Sequence, residues 1–160
     1  MLEVLFSSQS NIISIQTEQR DYDWGEKVAG TVKVILKKHK RVQDVTVRLK
    51  GKQRVSFSTR SGKRSRYWSY ENVFLTKSIT LARVNDILQA GHYSWPFSFI
   101  LGHGSPGSFE YKRQEFSGVV EYSLKAEMSI PDLLVPNERF KHVLTVKPNF
   151  VPHPSSFSIN

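Results

Sequence analysis

The chain has 160 residues, a formal net charge of +9, five histidines and no cysteine. That size predicts one domain, and the absence of cysteine excludes disulfides, thiolate metal sites and cysteine catalysis. With 39% hydrophobic and 23% charged residues, the composition is that of a folded chain and not of a disordered one.

In chain order, Leu2, Val4 and Phe6 predict a first short strand, followed by a turn cluster at Ser7–Asn11. Ile13 and Ile15 alternate with polar neighbours and predict a second strand folding back on the first. Arg20–Glu26 is polar and ends in a glycine turn. Val28, Gly30, Val32, Val34 and Leu36 then share one face of a half-buried strand. His39–Gln43 is predicted as a basic connector. Val45, Val47 and Leu49 resume the alternation, and Gly51 suits a bulge.

Ser58–Ser65, rich in Ser, Lys, Arg and Gly, predicts a mobile hairpin loop between strands. Tyr67–Leu75 and Ser78–Leu81 read as separate strands. Val84, Ile87 and Leu88 fit either one helical turn or a loop with apolar side chains tucked inward.

Trp95, Phe97, Phe99 and Leu101 recur at every second position, which places three aromatics and a leucine on one strand face. Pro96 has no N–H for a ladder and predicts an edge position or a bulge there. Tyr111–Ser117 is polar. Val120, Tyr122, Leu124, Ala126 and Met128 predict a long strand, and Val143–Val146 a last one. Residues 1–147 are expected to form the globular unit, and Pro148, Pro152 and Pro154 mark 148–160 as a linker or tail. Eight to ten short strands without sustained helical period predict an antiparallel β-sandwich.

The positive charge is local. Residues 33–66 hold 13 Lys/Arg against one acid, Asp44, so the remainder of the chain is net acidic. Two readings stand side by side: solvated outer strand faces that resist edge aggregation, or a patch for an anionic partner. The candidate contacts are Lys37, Lys38, Lys40, Arg41, Lys52, Arg54, Arg60, Lys63, Arg64 and Arg66. Tyr67, Trp68 and Tyr70 follow the second basic cluster, so a base-stacking nucleic-acid surface is a minority reading.

Catalysis finds no support. His103-Gly104-Ser105-Pro106-Gly107 superficially matches a nucleophile elbow. The residue after Ser105 would have to donate its N–H to an oxyanion, and Pro106 has none. No histidine pairs with another metal-ligand type at ligand spacing on one element. No catalytic, cofactor-binding or metal-binding residue is assigned. Met1–Phe6 lacks the basic and apolar regions of a signal peptide, and no run is long enough to span a membrane. The expectation is a soluble protein of a reducing compartment.

Four segments in order resemble the amino-terminal domain of arrestins, α-arrestins most closely. Tyr22–Val32 is similar to the family's Gly-Glu-x-Val-x-Gly-x-Val opening, and Val45–Gly51 to its next strand. Ala90–Phe99 with Pro106–Phe109 is the strongest match. Val120–Ala126 is similar to the family's Tyr-x-(Val/Leu)-x-Ala strand.

The resemblance covers about Ile12–Phe150 and implies an immunoglobulin-like sandwich acting as a non-enzymatic adaptor. Such adaptors bind cytoplasmic parts of membrane proteins and connect them to ubiquitin ligases, coats or signalling partners. It also implies a cytoplasmic location, peripheral to plasma membrane or endosomes; anionic lipid is a further partner that the basic residues suggest, apart from the resemblance. A retromer-like sorting-coat subunit is the alternative within this class.

Three departures limit the likeness. Ser7 and Ser8 stand where visual and β-arrestins carry a phosphate-sensing lysine pair. Pro-Pro-x-Tyr ligase-docking motifs are missing, and no cysteine is available for pairing with thioredoxin.

Overall fold

The computed structural model describes residues 11–102 and 106–148. The first predicted strand (Leu2–Phe6), the Ser7–Ser10 turn, His103–Ser105 and the tail after Pro148 lie outside these residues. Nine strands are described: β1 (Ile12–Thr17), β2 (Asp21–Tyr22), β3 (Lys27–Leu36), β4 (Lys40–Ser61), β5 (Arg64–Leu88), β6 (Gly91–Ile100), β7 (Phe109–Lys112), β8 (Phe116–Ser129) and β9 (Glu138–Val146).

They form two layers, as the alternation predicts. One sheet runs β1-β3-β6 and the other β2-β9-β8-β4-β5, with β7 pairing the upper part of β8. Pairing is antiparallel except between β2 and β9. The core closes between the inner faces: Val28, Val32, Val34 and Leu36 of β3 and Phe97 and Phe99 of β6 against Val45, Val47 and Leu49 of β4 and Tyr122, Leu124, Ala126 and Met128 of β8. Burying these side chains is the dominant stabilising term.

Phe97, Phe99 and Leu101 are buried and Trp95 packs against the same core, as their spacing predicts. Pro96 sits opposite Thr31 on β6, whose described pairing is with β3 alone, without a register shift. Of the two placements expected for Pro96, the edge is realised among the described strands and the bulge is not.

The bulge at Gly51 is present, as a register shift between Gly51 and Lys52 in the β4–β5 pairing.

The largest corrections fall on β4 and β5. The predicted connector at His39–Gln43 is strand from Lys40 onward, and the two separate strands after Tyr67 are one. Ser58–Ser65 is not a mobile loop: Ser61 pairs with Arg64, leaving Gly62-Lys63 as a two-residue turn. Gly62 has φ of 61° and Lys63 does not enter positive φ, the pattern of a type II′ turn that matches strand twist.

Residues 83–88 are neither helix nor loop but the end of β5. A register shift opposite Val42–Asp44 places Asn85 at φ 46°, a conformation that asparagine tolerates better than most residues. The polar segment after Phe109 also contains β7, held by the upper part of β8.

Candidate functional site

β4, β5 and their turn carry eight of the ten sequence-predicted cations, and the connector before β4 carries the other two. Lys37 and Lys38 are exposed in the β3–β4 connector, with Lys40 and Arg41 opening β4. Arg60, Lys63, Arg64 and Arg66 surround the turn at the other end. At about 3.3 Å per residue, Arg41 and Arg60 lie roughly 60 Å apart along the strand. These residues are two groups at opposite ends, with Lys52 and Arg54 between them.

Two of the ten are engaged by acids. Lys40 pairs with Glu138 at 3.1 Å, and Arg54 with Glu71 at 2.9 Å. The Arg54 hydrogen bond, assisted by the Lys52 charge, holds the Glu71 carboxyl below its ordinary value. Arg41 lines a separate cleft together with Asp86 and Pro131.

Convergence occurs elsewhere, midway along the hairpin on the outer face of the larger sheet. Alternation along β4 turns Val47 and Leu49 inward and Arg48 and Lys50 outward. β8 repeats the pattern, with Leu124 and Ala126 inward and Lys125 outward. Register sets Arg48 opposite Lys125, and Lys125 opposite Lys141 of β9. Lys50 lies opposite Ser123, which is buried in the sheet surface.

Arg48, Lys50, Lys52, Ser123, Lys125 and Lys141 line a cleft of about 200 Å³ with no carboxylate in its wall. An adjoining cleft of about 300 Å³ shares Lys52 and Lys141 and adds Arg54, Glu110 and Glu121.

Like charges directly opposite on neighbouring strands destabilise a sheet. A three-strand cationic row therefore costs stability that an anion would return. Neutralisation is partial: Lys141 bonds Glu121 at 2.7 Å, whereas Arg48 donates to the uncharged Ser78 hydroxyl at 3.2 Å. Glu127 lies one row away. Burial pushes its carboxyl up, but hydrogen bonds from Arg139 and Asn137 and the charges of Arg139 and Lys125 outweigh this, holding it below its ordinary value.

The cleft can hold an anionic group of phosphate or carboxylate size. Of its cations only Lys52 is among the sequence-predicted contacts. Arg48 and Lys50 were legible as outward-facing β4 residues, whereas Lys125 and Lys141 join only through strand pairing. Among the described residues no group of three or more His, Asp and Glu is placed to hold a metal ion. None of them forms a helix long and apolar enough to cross a membrane.

Comparison with known proteins agrees with the fold. The family model for the arrestin (or S-antigen) N-terminal domain matches residues 12–151. Arrestin domain-containing protein 17 of Caenorhabditis elegans is 31% identical over 126 residues, covering 71% of this chain and 29% of that protein. The crystal structure of Spo0M, a sporulation control protein from Bacillus subtilis, superposes with a TM-score of 0.57 at 14% identity, covering 88% of this chain and 50% of that one. The chain thus spans under a third of the curated relative and half of the solved structure. The match spans the two-layer sandwich and its four sequence segments, and the chain belongs to the arrestin family, as an N-terminal arrestin domain.

Proposed function

We propose that this domain is a non-enzymatic adaptor module that binds acidic or phosphorylated cytoplasmic tails of membrane proteins. Family membership supports the adaptor class. The observation that carries the ligand chemistry is the cationic row Arg48–Lys125–Lys141 with Lys50 and Lys52 beside it. A multiply charged tail satisfies several of these exposed cations at once, and each contact weakens with salt. The cations at Lys37–Arg41 and Arg60–Arg66 extend the field that steers such a tail inward. A ubiquitin ligase or coat would be recruited by other parts of a longer protein, with the domain working at the cytoplasmic side of plasma membrane or endosomes.

The test is fluorescence anisotropy of a labelled acidic phosphopeptide against the domain and against Lys50→Glu/Lys52→Glu/Lys125→Glu. Binding that falls steeply from low to high salt and is lost in the variant is expected. Equal binding by the variant would overturn the cleft. Stronger binding of a single-stranded oligonucleotide than of the peptide would replace an adaptor by a nucleic-acid module.

A further inference from the structure

Beyond Gly51 the inner face of the larger sheet continues with no second sheet over it among the described residues. Register keeps one face through Val45, Val47, Leu49, Gly51, Gln53, Val55 and Phe57 of β4, opposite Met128 to Phe116 of β8. The first three are fully buried, whereas Val55 is 37% and Phe57 44% exposed.

The same face carries Trp68 and Tyr70 of β5, paired with Phe57 and Val55, and Phe116 of β8. Phe109 and Tyr111 of β7 complete it. A Cβ on Gly118 would lie 3.6 Å from the Phe109 ring and 3.7 Å from Phe116, which fixes both rings on that side. Phe57 stacks on Trp68 with centroids 5.0 Å apart, and Tyr111 lies 6.0 Å from Phe116. All six rings remain exposed, Tyr70 by 63%.

The opposite face of the hairpin is built differently. Ser56 pairs with Ser69 and Ser58 with Tyr67, and the Ser56 hydroxyl is hydrogen-bonded to that of Ser117. The projecting sheet is therefore amphipathic, aromatic on one side and, Tyr67 apart, polar on the other.

Its aromatic side is rimmed by cations. Arg64 and Arg66 precede Trp68 on the same β5 face, and the Arg113 guanidinium lies 5.8 Å from the Tyr111 ring centre. Lys63 sits in the turn beyond them.

We propose that this face is a docking surface for an anionic lipid bilayer, lying flat in the headgroup layer. Trp and Tyr favour the membrane–water boundary, where a ring meets apolar chains and its polar edge meets water. The arginine rim would meet lipid phosphates and anionic headgroups, each cation contributing about 1 kcal/mol near such a surface.

A second copy fits less well. A two-fold contact places the patch on itself, bringing Arg64, Arg66 and Arg113 against their own like charges. The proposal stands apart from the peptide cleft, which lies on the outer face of the same sheet, so a vesicle and an acidic peptide bind together.

The experiment is co-sedimentation of the whole 160-residue chain with phosphatidylcholine vesicles, with and without phosphatidylserine. Binding only to the anionic vesicles is expected, with Trp fluorescence quenched by brominated lipid. Trp68→Phe should remove most of that quenching while keeping binding. Arg64→Glu/Arg66→Glu/Arg113→Glu should weaken binding by roughly a hundredfold or more. Phe57→Ser/Trp68→Ser/Tyr70→Ser should weaken it at least about tenfold, with a thermal unfolding scan confirming that the sandwich persists.

Unchanged vesicle binding by a folded aromatic variant overturns the proposal, as does quenching that survives Trp68→Phe. A micromolar dimer dissolved by the aromatic variant assigns the face to a second copy instead. Loss of phosphopeptide binding in that variant, with vesicle binding intact, assigns it to a tail.

Discussion

The ring of Phe74 lies across Gly51, where the β4–β5 register shifts. A Cβ at Gly51 would stand 2.6 Å from the nearest Phe74 ring carbon and 3.2 Å from the Leu75 Cβ. Phe74 cannot swing aside freely, because it packs edge-to-face with the fully buried Tyr122 ring, centroids 5.5 Å apart. Gly51→Ala is therefore expected to destabilise the domain by about 1–3 kcal/mol through overpacking. Urea unfolding measures this as a lower midpoint at an unchanged slope. A midpoint equal to that of the wild type would mean that the ring relaxes at no cost.

Acid should unfold the domain partly through Glu127. Burial raises its carboxyl, yet Arg139 and Asn137 together with Lys125 hold it below the ordinary 4.5. A carboxyl with a lowered folded-state value contributes stability that is present above 4.5 and lost as pH falls through the folded value. Urea midpoints taken between about pH 6 and pH 3 should therefore decline on the acid side, and Glu127→Gln should show a shallower decline. Parallel profiles would remove Glu127 from the acid transition.

Strand alternation was legible where burial enforces it. β3 and β6 each press one face into the core, so Val28–Leu36 and Trp95–Leu101 carry a clean period of two. Among the described residues no sheet opposes the outer halves of β4 and β5, so Ser58–Ser65 is under no pressure from a core to alternate. Its strand character comes from hydrogen bonding to a partner that composition does not reveal. The spacing of Val84 and Leu88 was ambiguous for a different reason: side chains four apart share a face in a strand as well as in a helix. Both pack on the core, while Ile87, which suggested the helical turn, is 45% exposed. Linear charge density left its cations spread out for a related reason. Along a strand neighbours separate by about 3.3 Å each, while adjacent strands stand only about 4.8 Å apart. Residues distant in sequence, such as Arg48, Lys125 and Lys141, concentrate charge better than a basic run does.

Gly62 differs from Gly51 in what it is needed for. Nothing lies within 4 Å of its would-be Cβ, so size is irrelevant, but φ of 61° disfavours any L side chain. Gly62→Ala should cost about 1 kcal/mol or more, confined to the hairpin tip. Amide exchange should speed up at Arg60–Arg66 and stay unchanged at Val45–Leu49. Gly62→Asn should be milder, because asparagine visits this region more readily. Faster exchange throughout β4 would show that the tip and the sandwich unfold as one unit.

Lys125 stands between Arg48 and Lys141 in a row of three cations, so its charge opposes folding and favours an anionic ligand at once. Lys125→Glu converts two repulsive cross-strand pairs into attractive ones. On the scale of exposed sheet pairs this should stabilise the free domain by about 0.5–1 kcal/mol at low salt, partly offset because Glu127 loses a favourable neighbour. The gain should shrink as ionic strength rises and screening removes the repulsion that was relieved. Phosphopeptide affinity should move the other way, falling at least about tenfold, since the cleft loses a cation and gains an acid. Urea unfolding at low and high salt, run beside peptide anisotropy, separates the two effects. Loss of stability together with affinity would mean that Lys125 supports the sheet and that the row exists for folding. A gain in stability with a loss of affinity is the signature of a surface kept cationic for its ligand at the expense of the fold.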